Sequence, residues 1–194
     1  EGLIMTDIAG GDDSAKAIQV QEDGKILVAG NSFNGSNTDI TLVRYLENGT
    51  LDPTFATDGI FTLDISDADD HAKDMTLAQD GSILIVGDTL TSTGKDIVLV
   101  RVLPTGELDP TFGSGGWGMT DIAGKDDSAG SVLETEGTYL VGGMAQNESP
   151  CTTGVFTYDF VLIRYLENGD LDPAFGIDGI AITDLDCDQD YGEK

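Results

Sequence analysis

Leu46-Glu-Asn-Gly-Thr-Leu-Asp-Pro-Thr-Phe55 returns as Leu103-Pro-Thr-Gly-Glu-Leu-Asp-Pro-Thr-Phe112 and again as Leu166-Glu-Asn-Gly-Asp-Leu-Asp-Pro-Ala-Phe175. Three copies of one block make this a repeat chain, and the rest is read against that period. Asp52 and Asp109 lie 57 residues apart, Asp109 and Asp172 63. The longer interval reflects an insertion between Gly143 and Asp159, where the loop 144–157 outgrows its counterparts, and one residue is lost near Glu134.

Outward from the block, each unit shows the same order. Ala15-Lys-Ala-Ile-Gln-Val-Gln21 alternates apolar and polar residues, as a half-buried strand does. Glu22-Asp-Gly24 is an Asp-Gly hairpin signal, and Lys25-Ile-Leu-Val-Ala-Gly30 is an apolar strand. Asp39-Ile-Thr-Leu-Val-Arg-Tyr-Leu46 is the next strand, and Leu3-Ile-Met-Thr-Asp-Ile8 precedes them all. Acidic loops separate the first strand from the second in every unit. No stretch shows the three-and-four apolar spacing of a helix. The expected fold is all-β, a β-propeller-like array of three four-stranded blades plus the first strand of a fourth. The array is one unit of organisation over 1–194, with repeats at about 2–59, 60–116 and 117–179, and 180–194 opening a further one.

All three arginines, Arg44, Arg101 and Arg164, fall at one position of the period, eight residues before the Asp of Leu-Asp-Pro. Arg44 shares a strand face with Ile40 and Leu42, so it needs a carboxylate partner. The spacing predicts structural ion pairs Arg44–Asp52, Arg101–Asp109 and Arg164–Asp172. Gly24, Gly81 and Gly137 are the positions where tight hairpins require positive φ. Phe55, Phe112 and Phe175 are expected as apolar plugs between neighbouring units.

Laid out this way, the chain resembles the bacterial delta-60 repeat family. The matching pattern is Asp-Gly-Lys-Ile-Leu-Val-Ala-Gly (23–30), Leu-Val-Arg-Tyr (42–45) and Asn-Gly-Thr-Leu-Asp-Pro-Thr-Phe (48–55). The resemblance covers nearly the whole chain in three units. It implies a β-propeller-like structure within large secreted or cell-surface bacterial proteins, and it carries over no catalytic residue. The third unit departs from the pattern at Thr138 and in its long loop.

Charge narrows the partners. The 194 residues carry 9 Lys plus Arg against 36 Asp plus Glu, a formal charge of −27. Such a surface repels nucleic acid and anionic membrane. No apolar run approaches the 18 or more residues of a transmembrane helix. Enzymatic signatures are thin: there is one histidine, His71, and no nucleophile elbow, metal-protease motif, Cys-x-x-Cys or phosphate-cradling loop. The expectation is a protein that is not an enzyme.

Calcium is the better chemical reading. Asp184-Leu-Asp-Cys-Asp-Gln-Asp190 places carboxylates at alternate positions, Asp184, Asp186, Asp188 and Asp190, as one end of a calcium loop does. It lacks the glycine and the distal glutamate of an EF-hand. Asp67, Asp69 and Asp70 form a weaker cluster, echoed by Asp12-Asp13 and Asp126-Asp127. A solvated acidic turn is the alternative at both. Cys151 and Cys187 are an even pair that adjacent blades could join as a disulfide or leave as two thiols.

Two function classes follow. One is a non-catalytic extracellular structural or adhesive module, secreted or at the cell surface, that assembles with further repeats or head to tail with copies of itself. The other is a calcium-assisted propeller that binds carbohydrate or another small ligand. Exposed Phe156 and Tyr158 would favour the second, and a buried pair the first.

Overall fold

The computed structural model describes residues 2–148 and 156–183, which form strands, turns and loops. Three antiparallel four-stranded sheets follow one another along the chain. The first holds β1 (Asp13–Val20), β2 (Ile26–Phe33), β3 (Thr38–Tyr45) and β4 (Ile60–Leu63) in that order. The second repeats it with β5 (Asp70–Leu77), β6 (Ile83–Leu90), β7 (Lys95–Val102) and β8 (Trp117–Thr120). The third has β9 (Asp127–Thr135), β10 (Thr138–Glu148), β11 (Phe156–Leu166) and β12 (Ile180–Thr183).

These blades sit one strand out of phase with the repeats read from sequence. Ile60–Leu63 pairs with β3, and Trp117–Thr120 with β7, so each is the last strand of the blade before it. Likewise Ile180–Thr183, expected to open a fourth blade, pairs with β11 and closes the third. The reason lies in the ten-residue block, which folds back on its own strand: Asp52 N donates to Arg44 O, and Arg44 N to Gly59 O, both at 2.9 Å. The chain leaving the block is therefore aimed along β3 rather than away from it.

Each blade carries a bulge at the same place in its first strand, at Lys16, Lys73 and Gly130. Beside it on the second strand stands Gly30, Gly87 or Gly143. A β-carbon at Gly87 would collide with the His71 carbonyl, and the other two would meet Ser14 and Ser128 in the same way. The third hairpin closes despite its departure at Thr138: Glu136 (φ 51) and Gly137 (φ 79) make a two-residue turn of the type that right-twisted strands favour. The insertion is not a loop throughout. Met144–Glu148 pairs with Phe156–Phe160, so it lengthens two strands, with 149–155 outside the described residues.

Two apolar cores lie between the blades, and the middle blade feeds both. Ile83, Ile85, Val98, Val100 and Val102 pack with Leu27, Leu42 and Phe55 of the first blade. Leu84, Val86, Ile97 and Leu99 pack with Val141, Ile163 and Tyr165 of the third. A sheet covered on both faces needs apolar residues at every position, which is why β6 and β7 read as unbroken Ile/Leu/Val runs.

Candidate functional site at the blade seams

The polar residues that recur with the period converge on the seams, one group at each end of the third strand. At one end is the arginine. Arg44 Nε donates to Asp52 Oδ2 at 2.9 Å, Arg164 Nε to Asp172 Oδ2 at 2.7 Å, and Arg101 Nε lies 3.4 Å from Asp109 Oδ2. The other oxygen of each aspartate holds the turn. Asp52 Oδ1 accepts both the Thr54 amide and its hydroxyl, Asp109 Oδ1 does the same with Thr111, and Asp172 Oδ1 takes the Ala174 amide alone. Burial pushes the Asp52 carboxyl up, but the two Thr54 bonds and the charges of Arg44 and Lys25 outweigh it and bring it down to about 2.

The guanidinium also lies over the phenylalanine that ends the block. Arg44 Cζ is 4.3 Å from the Phe55 ring centre, Arg164 4.7 Å from Phe175 and Arg101 6.0 Å from Phe112. One of its terminal nitrogens, Nη1, crosses the seam. Arg44 Nη1 donates to Pro104 O at 2.7 Å, and Arg101 Nη1 to Glu167 O at 3.0 Å, each in the turn of the following unit. The backbone repeats the crossing: Ala56 N donates to Thr105 O, and Gly113 N to Asn168 O, both at 2.8 Å. Gly106 is the residue that lets the turn come this close, since its φ is +94 and a β-carbon there would strike Ala56.

At the other end of the third strand stand carboxylates. Asp39 on β3, Asp64 after β4 and Asp70 at the start of β5 have oxygens within 4.8 Å of one another. Asp96, Asp121 and Asp127 repeat the arrangement at the second seam, again within 4.8 Å. Each group spans two blades. Local bonds fix the donors: Ile65 N and Ile122 N donate to Asp70 Oδ2 and Asp127 Oδ2 at 2.6 Å, while Asp67 N and Gly124 N donate to Asp64 Oδ1 and Asp121 Oδ1 at 2.8 Å. None of the six carboxylates forms a salt bridge among the described residues. Burial raises Asp39, Asp70 and Asp96 above the usual carboxylate range. It pushes Asp127 up to about 7, helped by the charges of Asp121 and Asp96.

The residues singled out from sequence separate into three sets. The arginines and their aspartates meet at the distances given above. Of Asp67, Asp69 and Asp70, only Asp70 enters a carboxylate group, with Asp39 and Asp64 as its companions. Asp69 Oδ1 accepts the Thr38 amide at 2.9 Å, clipping the two blades together. Asp184, Asp186, Asp188, Asp190 and both cysteines, Cys151 and Cys187, lie outside the described residues. His71 Nδ1 is 3.7 Å from the buried Asp88, which Lys73 Nζ approaches at 3.1 Å. The companions of Asp70 and Asp127 carried one readable signal: Asp39/Asp96, Asp64/Asp121 and Asp70/Asp127 each recur after 57 residues.

The trailing face of the third blade is open. Phe160 is 59% and Leu162 40% exposed, whereas Ile97 and Leu99, their equivalents on the middle blade, are 0% exposed beneath the third. The Arg164 side chain is 30% exposed, against 6% for Arg44 and 8% for Arg101. The leading face of the first blade is exposed too, with Ile18 at 67% where its equivalent Met75 on the middle blade is at 2%, but one contact characteristic of a seam is present there. Thr6 Oγ1 lies 2.7 Å from Tyr45 Oη, as Thr120 Oγ1 does from Tyr165 Oη at the second seam. Thr6 thus meets Tyr45 as a threonine on the last strand of a preceding blade would.

The family model described as a β-propeller domain of unknown function (DUF5122) matches residues 21–55, 78–112 and 152–175. Each match ends on the phenylalanine of a block. No curated protein matches the chain. Three four-stranded sheets in sequence, held by the same columns of residues and matched three times by one propeller model, make this chain a β-propeller-like repeat protein.

Proposed function

We propose that the chain is a non-catalytic structural repeat module of an extracellular bacterial assembly, and that its open face takes a further blade of the same repeat. The observation that carries this is the contrast on one column: Ile97 and Leu99 are covered by a neighbouring blade, and Phe160 and Leu162 are exposed. Arg164 and Phe175 are set as Arg44 and Phe55 are, ready for the turn of a following unit. The blade can come from continuing chain or from a second copy, since the repeat is the same in both. Resemblance to delta-60 repeats and the −27 charge support a secreted or cell-surface place. The recurring polar residues are engaged in joining blades, which supports a role without catalysis.

Light scattering at micromolar concentration tests one source. A second copy gives particles that are multiples of the 20.4 kDa chain and that dissociate in the Phe160→Glu, Leu162→Glu variant. In-phase fusion of a further blade after Thr183 tests the other, since a capped repeat array gains an interface and melts higher. A monomer whose melting point the fusion leaves unchanged overturns the proposal.

A second reading, binding of carbohydrate, is favoured by the exposure of Phe156 and Tyr158. They lie on the same strand face as Phe160 and Leu162, so a missing neighbouring blade accounts for them equally. Binding on a glycan array that Tyr158→Ala abolishes, with assembly unchanged, separates the two.

A further inference from the structure

We propose that Asp96, Asp121 and Asp127 hold one divalent cation, Ca²⁺ by their donor chemistry, and that Asp39, Asp64 and Asp70 hold another, so that an ion bridges each seam. Three observations carry it. First, the donor set is all carboxylate, the chemistry of hard cations. Oxygens bound to one Ca²⁺ at 2.3–2.6 Å lie no more than about 5 Å apart, and these lie within 4.8 Å.

Second, Asp96 Oδ1 and Asp127 Oδ1 are buried and accept no hydrogen bond, in residues 3% and 0% exposed; Asp39 Oδ1, in a residue 8% exposed, is the same. A buried carboxylate oxygen without a donor is costly, and three of them on one recurring feature point to a partner that is not a protein group. Neighbouring lysines do not supply it. Lys73 and Lys95 are drawn to Asp88, and the Lys95 amide donates at 3.0 Å to Oδ1 of Asp126, which is outside the group.

Third, the arrangement recurs. Both groups take one aspartate from the third strand of a blade, one from the linking loop and one from the first strand of the next blade. Local amides hold the spare oxygens of the latter two. Asp64 and Asp121 are exposed, which leaves water room to complete the six to eight oxygens that Ca²⁺ takes. One divalent ion reduces three adjacent negative charges to one. Asp7 and Asp13 repeat the loop and strand positions ahead of the first blade, with the same local bonds from Gly10 N and Ile8 N.

Calorimetry and thermal melting of the chelator-treated protein test this, at about 0.15 M salt to screen the acidic surface. Ca²⁺ is expected to bind at defined stoichiometry and to raise the melting temperature, with Mg²⁺ weaker. Asp96→Asn and Asp39→Asn should each lower the stoichiometry by one. Asp121→Asn, at an exposed position, is the substitute where Asp96→Asn fails to fold. In chelator these variants should melt at or above the parent, because one repelling charge is gone; in Ca²⁺ they should melt below it. That crossover distinguishes a ligand from a structural carboxylate. No heat with the parent protein, an unchanged stoichiometry in the variants, equal losses with and without Ca²⁺, or preference for Mg²⁺ overturns the proposal.

Discussion

At the first seam Asp70 Oδ1 accepts the Thr89 hydroxyl; at the second, Asp127 is paired across the hairpin with Ala145, which has none. The arginine ends differ in the opposite sense. Arg44 binds Asp52 squarely, with Lys25 Nζ a further 3.4 Å from the same oxygen. Position 25 becomes Ser82 in the second unit, and there Arg101 Nη2 turns to Asp80 while its Nε loosens to 3.4 Å from Asp109. Losing the lysine is not enough by itself, since Thr138 stands there in the third unit and Arg164 Nε still binds Asp172 at 2.7 Å; it is where Asp80 is also present that the guanidinium turns. The columns of a repeat set which groups meet at a seam, and the residues between columns set how well each group is satisfied.

The largest effect expected is at the plugs. Phe55→Ala and Phe112→Ala each remove a fully buried ring and should cost about 3–5 kcal/mol by denaturant unfolding. Phe175→Ala, at the open end where the ring is only partly buried, should cost less, about 2 kcal/mol. Equal losses at all three would mean that the third plug is already covered in solution.

Next come the arginines. Arg101→Met leaves Asp109 buried with only Thr111 as donor, and should cost about 3 kcal/mol. Arg44→Met should cost about 2 kcal/mol, because Lys25 remains beside Asp52. Adding Lys25→Ser should raise the first loss to the second. A melting temperature unchanged by Arg101→Met would remove the ion pairs from the account of stability.

The smallest effect sharpens the carboxylate end. Thr89→Ala makes the first seam like the second and should cost about 1–2 kcal/mol in chelator, the consequence of leaving Asp70 Oδ1 without a donor. The melting temperature in chelator and in Ca²⁺ reads this directly.

What was legible in the sequence follows the same division. Hairpins and third strands were readable because each depends on a few contiguous residues, Asp23-Gly24 or the run 39–46. The arginine and its aspartate were readable because eight residues is the distance around one tight return of the chain. The phase was not. Ile60–Leu63 is a β-prone run equally suited to open a blade or close one, and the return of the chain, with Arg44 N donating to Gly59 O, decides. The carboxylate groups were hidden for a different reason. Their members are 25 and 6 residues apart, in Asp39, Asp64 and Asp70, so local clustering drew the eye to Asp67 and Asp69 instead. The 57-residue period aligns all three with Asp96, Asp121 and Asp127.

The one-strand offset has a practical consequence for anyone cutting the chain. A nick within 56–59 cuts β4 free of its turn, and where β4 detaches the first sheet is three-stranded, with β3 presenting raw amides and carbonyls over Ile40–Val43. Such an edge invites pairing with other chains. A nick within 64–69 falls between complete sheets and exposes no ladder, though it severs the loop that carries Asp64. Limited proteolysis at the first position should therefore yield aggregates, and at the second, soluble blades.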